Sequence, residues 1–332
     1  MFCFRRLSIY ISVACFGLAL IANAAASPTY QYVGGPTEPM PTDEVKASVD
    51  AILKAANRPG GVCVTFANVS PQWGIEIARR GSFVVQQLYS DKEYIGKAMK
   101  ELSRADASGR VSVGYALGGM PHADNLVSLI ITDCGFPTEC KAMYRVLSPG
   151  GVLVIRGDLW QNKVPGIEEV PVLKKFFGTG GSFHKVMREI LNIIGFEVVE
   201  TIRVADRHYL IARKPWPENI DQWTHFLHDS DGNPVADDTV VAPPARFQWI
   251  AGPRWLRSHD SDSSVSAIVL GAGRMYAIVD EAPLSTEGQH ELPDKWFLVA
   301  RDAFSGIPLW KKPIKTWGWR EWKDTWFLCR PG

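Results

Sequence analysis

Apolar and polar positions alternate between helical and strand periods along the first two thirds of this chain. A helix is expected from about residue 42, because Val45, Val49, Ile52 and Leu53 fall on one face and Arg58-Pro59-Gly60-Gly61 stops it. The apolar run at 61–67 then reads as a strand and 71–80 as a helix. A strand at 82–88 precedes a helix at 91–107, whose inward positions are Tyr94, Ile95, Ala98, Met99 and Leu102. Strands at 111–115 and 126–132, a helix at 138–147, a strand at 151–156 and a helix at 182–194 follow. Two last strands, 197–204 and 209–214, are close enough to pair as an antiparallel hairpin.

That order predicts an α/β fold: a doubly wound, mostly parallel sheet with an antiparallel strand at its end. Ligands in such sheets bind at the carboxyl ends of the strands. Beyond residue 262 the pattern becomes strand-like. Runs at 265–270 and 275–279 flank the turn Gly271-Ala272-Gly273-Arg274, and another strand is expected at 295–301.

Composition marks where the two patterns meet. Ten of the 12 tryptophans lie at or beyond Trp216, and the stretch 216–262 is dense in His and Asp. The expected organisation is a leader at 1–26, a linker at 27–41, an α/β domain at 42–214, a connector at 215–262 and a short all-β segment at 263–332. The leader reads as an export signal, with Arg5 and Arg6 before an apolar run at 7–21 and small residues at 22–27. An uncleaved membrane anchor is the alternative. Of six cysteines, Cys63, Cys134, Cys140 and Cys329 lie beyond the leader. Cys134 and Cys140 are the closest pair in an oxidising compartment, and Cys63 reads as a small buried hydrophobe. The chain is near neutral, with 36 basic against 35 acidic residues, so no nucleic-acid partner is expected.

Leu147-Ser-Pro-Gly-Gly151 before the fifth strand and Met120-Pro-His-Ala-Asp-Asn-Leu-Val127 before the fourth, set in this element order, resemble class I S-adenosylmethionine-dependent methyltransferases. The resemblance covers about residues 45–214 and implies a Rossmann-like methyltransferase fold. It also implies S-adenosylmethionine as cofactor, with Ala67, Asn68, Ser70, Tyr89, Asp91 and Asp133 as cofactor-side positions. The turn after the first strand carries no glycine until Gly74, where the family needs close backbone approach. At the end of the second strand, where the family places a ribose-binding carboxylate, this chain has Tyr89. Asp91 reads either as that carboxylate displaced or as a helix cap, and Asp133 either as a substrate contact or as a loop carboxylate.

Further on, Ala300-Arg-Asp-Ala-Phe-Ser-Gly-Ile-Pro-Leu-Trp310 resembles the blade signature of pyrroloquinoline-quinone-type β-propellers. In that resemblance Asp302 and Ser305 bond the turn, Gly306 takes positive φ and Trp310 docks between blades. Pyrroloquinoline quinone itself is not implied. One full copy is present, so a partial propeller is expected. In the connector, His225 and His228 at i, i+3 on an expected helix, with Asp229, Asp231, Asn233, His259, Asp260 and Asp262 nearby, fit either a metal site or a packed, turn-forming joint. No metal is the reading adopted. Two functions stay open: an exported methyltransferase-like enzyme acting on a small molecule or envelope component, and a non-catalytic binding or scaffold protein. The tryptophan-rich C-terminal region is the expected place for a protein partner. No nucleophile paired with a base stands out.

Overall fold

The computed structural model describes residues 40–66, 70–89, 92–115, 120–133, 137–156, 183–240, 247–252, 264–282 and 295–315. The expected export signal, nearly all of the linker, Ala67, Asn68, Asp91, Cys134, Cys329, His259, Asp260 and Asp262 lie outside the described residues. The chain divides into two compact units, Met1–Trp216 and Pro217–Gly332. Among the described residues no helix is long and apolar enough to cross a membrane.

The first unit is built on β1 (Gly60–Phe66), β2 (Ser82–Tyr89), β3 (Val111–Tyr115), β4 (Val127–Thr132), β5 (Leu147–Arg156), β6 (Glu197–Val204) and β7 (Arg207–Arg213). They form one sheet in the order β3-β2-β1-β4-β5-β7-β6. Strands β1 to β5 pair in parallel, and β7 runs antiparallel to both β5 and β6. This is the expected Rossmann-like sheet with its closing hairpin. The reversed strand sits one place in from the edge, for a physical reason. A two-residue turn at Ala205 and Asp206, with Ala205 at φ +51°, forces β7 to reverse against β6. Tyr209 to Ala212 are then wholly buried between neighbours, whereas the described side chains of β6 are exposed or half-buried and suit the edge.

Helices cover both faces. On one lie α1 (Thr42–Ala56), α2 (Pro71–Arg80) and α3 (Lys92–Arg104), on the other α4 (Pro137–Val146) and α5 (Phe183–Ile194). Strand β4 shows why two covers are needed, since all six of its residues are buried. Leu129 and Ile131 pack with Val45, Val49 and Ile52 of α1 and Trp73 of α2, while Ile130 packs with Cys140 and Met143 of α4 and Leu191 of α5. Each such side chain contributes roughly 1.5–3 kcal/mol by leaving water. The mostly apolar run of β4, interrupted only by the small hydroxyl side chains of Ser128 and Thr132, is the sequence signature of a central parallel strand.

Leu147–Gly151, expected to precede the fifth strand, is instead the opening of β5. Leu147 already pairs with Val127, and the ladder shifts register before Val152 meets Leu129. The cause is distant in sequence. Gly150 donates its N–H to the Lys214 carbonyl at 2.9 Å, and Lys214 donates back to the Gly151 carbonyl at 2.9 Å. The Lys214 ammonium, pushed below its usual pKa by burial, donates to Asn125 Oδ1, the Tyr144 carbonyl and the Leu147 carbonyl at 2.7, 2.9 and 2.8 Å. Gly150 is required here: φ is +69°, and a Cβ would lie 2.8 Å from the Trp216 indole nitrogen.

The second unit contains an antiparallel sheet of β8 (Val265–Gly271), β9 (Arg274–Asp280), β10 (Trp296–Asp302) and β11 (Pro308–Pro313), ordered β11-β10-β9-β8. Ala272 and Gly273 both have positive φ, the backbone of a two-residue hairpin turn whose twist matches the strands.

Candidate functional site

In a sheet ordered 3-2-1-4-5 the chain reverses direction between β1 and β4, and the crevice outside their carboxyl ends is the ligand position. Residues around it arrive from the ends of β2 to β5 and the start of α2. Asp133 follows β4 and is 3% exposed. The ladder between the parallel strands β4 and β5 runs to Thr132 opposite Ile155, and Arg156 closes β5. Arg156 is likewise 3% exposed. Arg156 was not singled out from sequence, although a basic residue closing the apolar run Val-Leu-Val-Ile was there to be read.

Ser70 is committed to its own helix. Its hydroxyl accepts from the Gln72 N–H at 3.3 Å, and its carbonyl accepts from the Trp73 N–H at 3.0 Å. Pro71 at the first helical position has no N–H. The donors that a helix N-terminus offers to an anion are therefore spent inside α2. Gln87 of β2 fastens this arrangement, donating from Nε2 to the Ser70 carbonyl at 3.2 Å while its amide packs against Gly74.

Tyr89 is 2% exposed, and its ring stacks on Tyr94 of α3 with centroids 6.5 Å apart and planes 4° from parallel. Burial raises its phenol pKa, and Glu101 adds to that effect. Beside it in register stands Tyr115, which carries the Lys92 ammonium over its ring at 5.3 Å. The end of β2 is thus a packed aromatic corner, with a tyrosine where the family resemblance requires a ribose-binding carboxylate.

Ala67, Asn68 and Asp91 lie outside the described residues, so the described part of the expected cofactor site is Ser70, Tyr89 and Asp133. A buried phenol cannot accept two charge-assisted hydrogen bonds from a ribose, and the helix donors beside it are taken. Of the positions that the resemblance implied, the structure brings Asp133 to the crevice, uses Ser70 as a cap and buries Tyr89 in the core.

The connector is not helical at His225 and His228. The two residues face each other across a tight turn, with the His225 N–H donating to the His228 carbonyl at 3.0 Å and His228 at φ +72°. A left-handed residue cannot sit inside a right-handed helix, and that overrides the i, i+3 spacing. The aspartates are turn formers: Asp229 accepts from the Asp231 N–H at 2.8 Å, and Asp231 from the Asn233 N–H at 2.7 Å. Among the described residues no three His, Cys, Asp or Glu side chains converge as metal donors. Cys63 and Cys140 are free, buried thiols.

The repeat turn after β10 folds as its sequence implied. Asp302 Oδ1 accepts from the Phe304 and Ser305 N–H groups and the Ser305 hydroxyl at 3.2, 2.9 and 2.7 Å, and Gly306 has φ +70°. Trp249 lies on Gly306 and donates its indole N–H to the Ala303 carbonyl at 3.0 Å. Trp310 packs on Tyr276 of its own sheet, centroids 6.0 Å apart, and stays 38% exposed.

No protein-family model matches the sequence, and no curated protein matches it. Solved structures similar to the chain include a SAM-dependent methyltransferase from Aquifex aeolicus, at 17% identity over 53% of this chain and 94% of that one, with a TM-score of 0.40. Geranyl diphosphate C-methyltransferase from Streptomyces coelicolor is 8% identical over 51% of this chain and 75% of its own, with a TM-score of 0.40. A cyclase of the 4+2 type is 15% identical over 60% and 93%, with a TM-score of 0.41.

Proposed function

We propose that this chain is an exported binding or scaffold protein, in which a methyltransferase-like fold without methyl-transfer activity precedes a propeller-type antiparallel sheet. The observation that carries this reading is Tyr89, buried and stacked on Tyr94 at the place where a ribose carboxylate would have to stand. The self-capped start of α2 points the same way. Methyl transfer from a sulfonium needs chiefly the alignment of nucleophile and methyl group, so a lost cradle removes the reaction more completely than a lost base. The ligand or partner is a small molecule or a component of the cell envelope, reached after export by the N-terminal signal.

The enzyme reading draws on one feature, the buried carboxylate of Asp133 at the strand-end crevice. Calorimetry of the full chain with S-adenosylmethionine separates the two. No heat of binding up to millimolar cofactor is expected. Binding at micromolar concentration would overturn the scaffold reading and establish the crevice as a cofactor site.

A further inference from the structure

Asp221 is the hub of the connector in the second unit. Its Oδ1 accepts from the Gln222 N–H at 2.6 Å, and its Oδ2 accepts from the Asp237 N–H at 2.8 Å. The same Oδ2 lies 2.5 Å from His228 Nε2. Three points of the chain, at 221, 228 and 237, are thereby held by one carboxylate. The residues following Asp221 reach the sheet: Gln222 Oε1 accepts from the Ala272 N–H at 2.8 Å, and the Trp223 carbonyl accepts from the Leu270 N–H at 2.6 Å. Leu270 belongs to the edge strand β8, so Trp223 occupies a donor that would otherwise be offered to another strand. The Trp223 ring also meets the His228 ring edge-on, with centroids 5.3 Å apart.

We propose that Asp221 and His228 form a pH-sensitive clasp that fastens the connector over the β8 edge, closed when the imidazole is charged and loosened when it is neutral. The groups facing His228 are all acidic: Asp221 first, then Asp229 and Asp237. The hydrogen bond to Asp221 raises the His228 pKa above the usual 6.5, opposed by burial. The Asp221 carboxylate is held below its usual 3.8 by the Asp237 and Gln222 amides and by His228. Each shift fixes a direction. A raised imidazole pKa gives stabilisation complete below the unfolded value and lost as pH rises through the folded one. A lowered carboxylate pKa gives stabilisation complete above its unfolded value and lost as pH falls. The clasp is therefore tightest between about pH 4 and 6.5 and loosens on the alkaline side. Neutral imidazole keeps a hydrogen bond, so loosening is partial, and the β8 edge becomes intermittently accessible.

Hydrogen exchange of the full chain, read at the Leu270 and Ala272 amides and corrected for intrinsic rates, tests this from pH 5 to 9. Protection at both amides is expected to fall several-fold as His228 deprotonates, the imidazole being followed by its own NMR titration. In His228→Asn, which keeps a donor, tolerates positive φ and does not titrate, protection should show no step. In Asp221→Asn the His228 pKa should drop. A wild-type chain without the step, or a His228→Asn chain that retains it, would overturn the clasp.

Discussion

The rings of Tyr89 and Tyr94 stack parallel and offset, one closing β2 and the other in the first turn of α3, their planes 4° apart. The pair fills the corner where the strand-end crevice would need polar groups. Removing the ring should therefore act on stability rather than on ligand binding. Tyr89→Ala is expected to cost the first unit about 3 kcal/mol or more, as for other buried aromatics. Tyr89→Phe keeps the stack and should cost under about 1 kcal/mol. Urea denaturation of both variants checks this, and equal losses would mean that the hydroxyl rather than the ring holds the corner.

Gly74 controls how closely α2 approaches the sheet. A Cβ there would lie 2.8 Å from the Gln87 side-chain amide and 2.9 Å from Val111 Cγ1. Alanine gains about 1 kcal/mol of helix propensity, and overpacking a tight core costs about 1–3 kcal/mol. Gly74→Ala should thus be neutral to destabilising, and it should disturb the Gln87 bond to Ser70. Denaturation midpoints give the first, and loss of protection at the Gln72 and Trp73 amides gives the second.

How much of this could be read from sequence divides by distance along the chain. Strand β4 was legible because Val-Ser-Leu-Ile-Ile-Thr is short, β-branched and mostly apolar, and a strand covered on both faces needs no partner information. The Asp302 turn was legible because its donors and acceptor lie within four residues. The opening of β5 was not, since the partner that draws Leu147–Gly151 into the ladder is Lys214, more than 60 residues on. His225 and His228 show the opposite failure. Their spacing suits a helix, but Asp221 and the left-handed backbone of His228 set the local path. Arg156 escaped notice because a charge at the end of an apolar strand looks like solvent exposure, whereas the structure buries it to 3% at the end of β5.

The thiols at Cys63 and Cys140 should be inert in the native protein. Burial raises both pKa values, that of Cys140 to about 12, with Glu139 adding to the rise. The thiolate is the reactive species, so at pH 8 its population at either site is negligible. Peptide mapping after brief alkylation should find both residues unmodified in native buffer and fully modified in denaturant. Rapid native labelling at Cys140 would mean that α4 opens locally, without global unfolding.

Trp249 and Gly306 should behave as one unit in the second half of the chain. A Cβ on Gly306 would lie 2.4 Å from the Trp249 ring, and the glycine already sits at φ +70°. Gly306→Ala therefore meets a backbone penalty of about 1–2 kcal/mol and also displaces the indole from its hydrogen bond to Ala303. Trp249→Ala removes the same contact from the other side, at a cost of about 3 kcal/mol or more if the site does not refill. Since each change destroys what the other would lose, the double variant should be less destabilised than the sum, by at least about 1 kcal/mol. A denaturation cycle on the four proteins measures that difference. Strict additivity would mean that Trp249 is held by Gln248 and its bond to the Phe304 carbonyl rather than by the glycine turn.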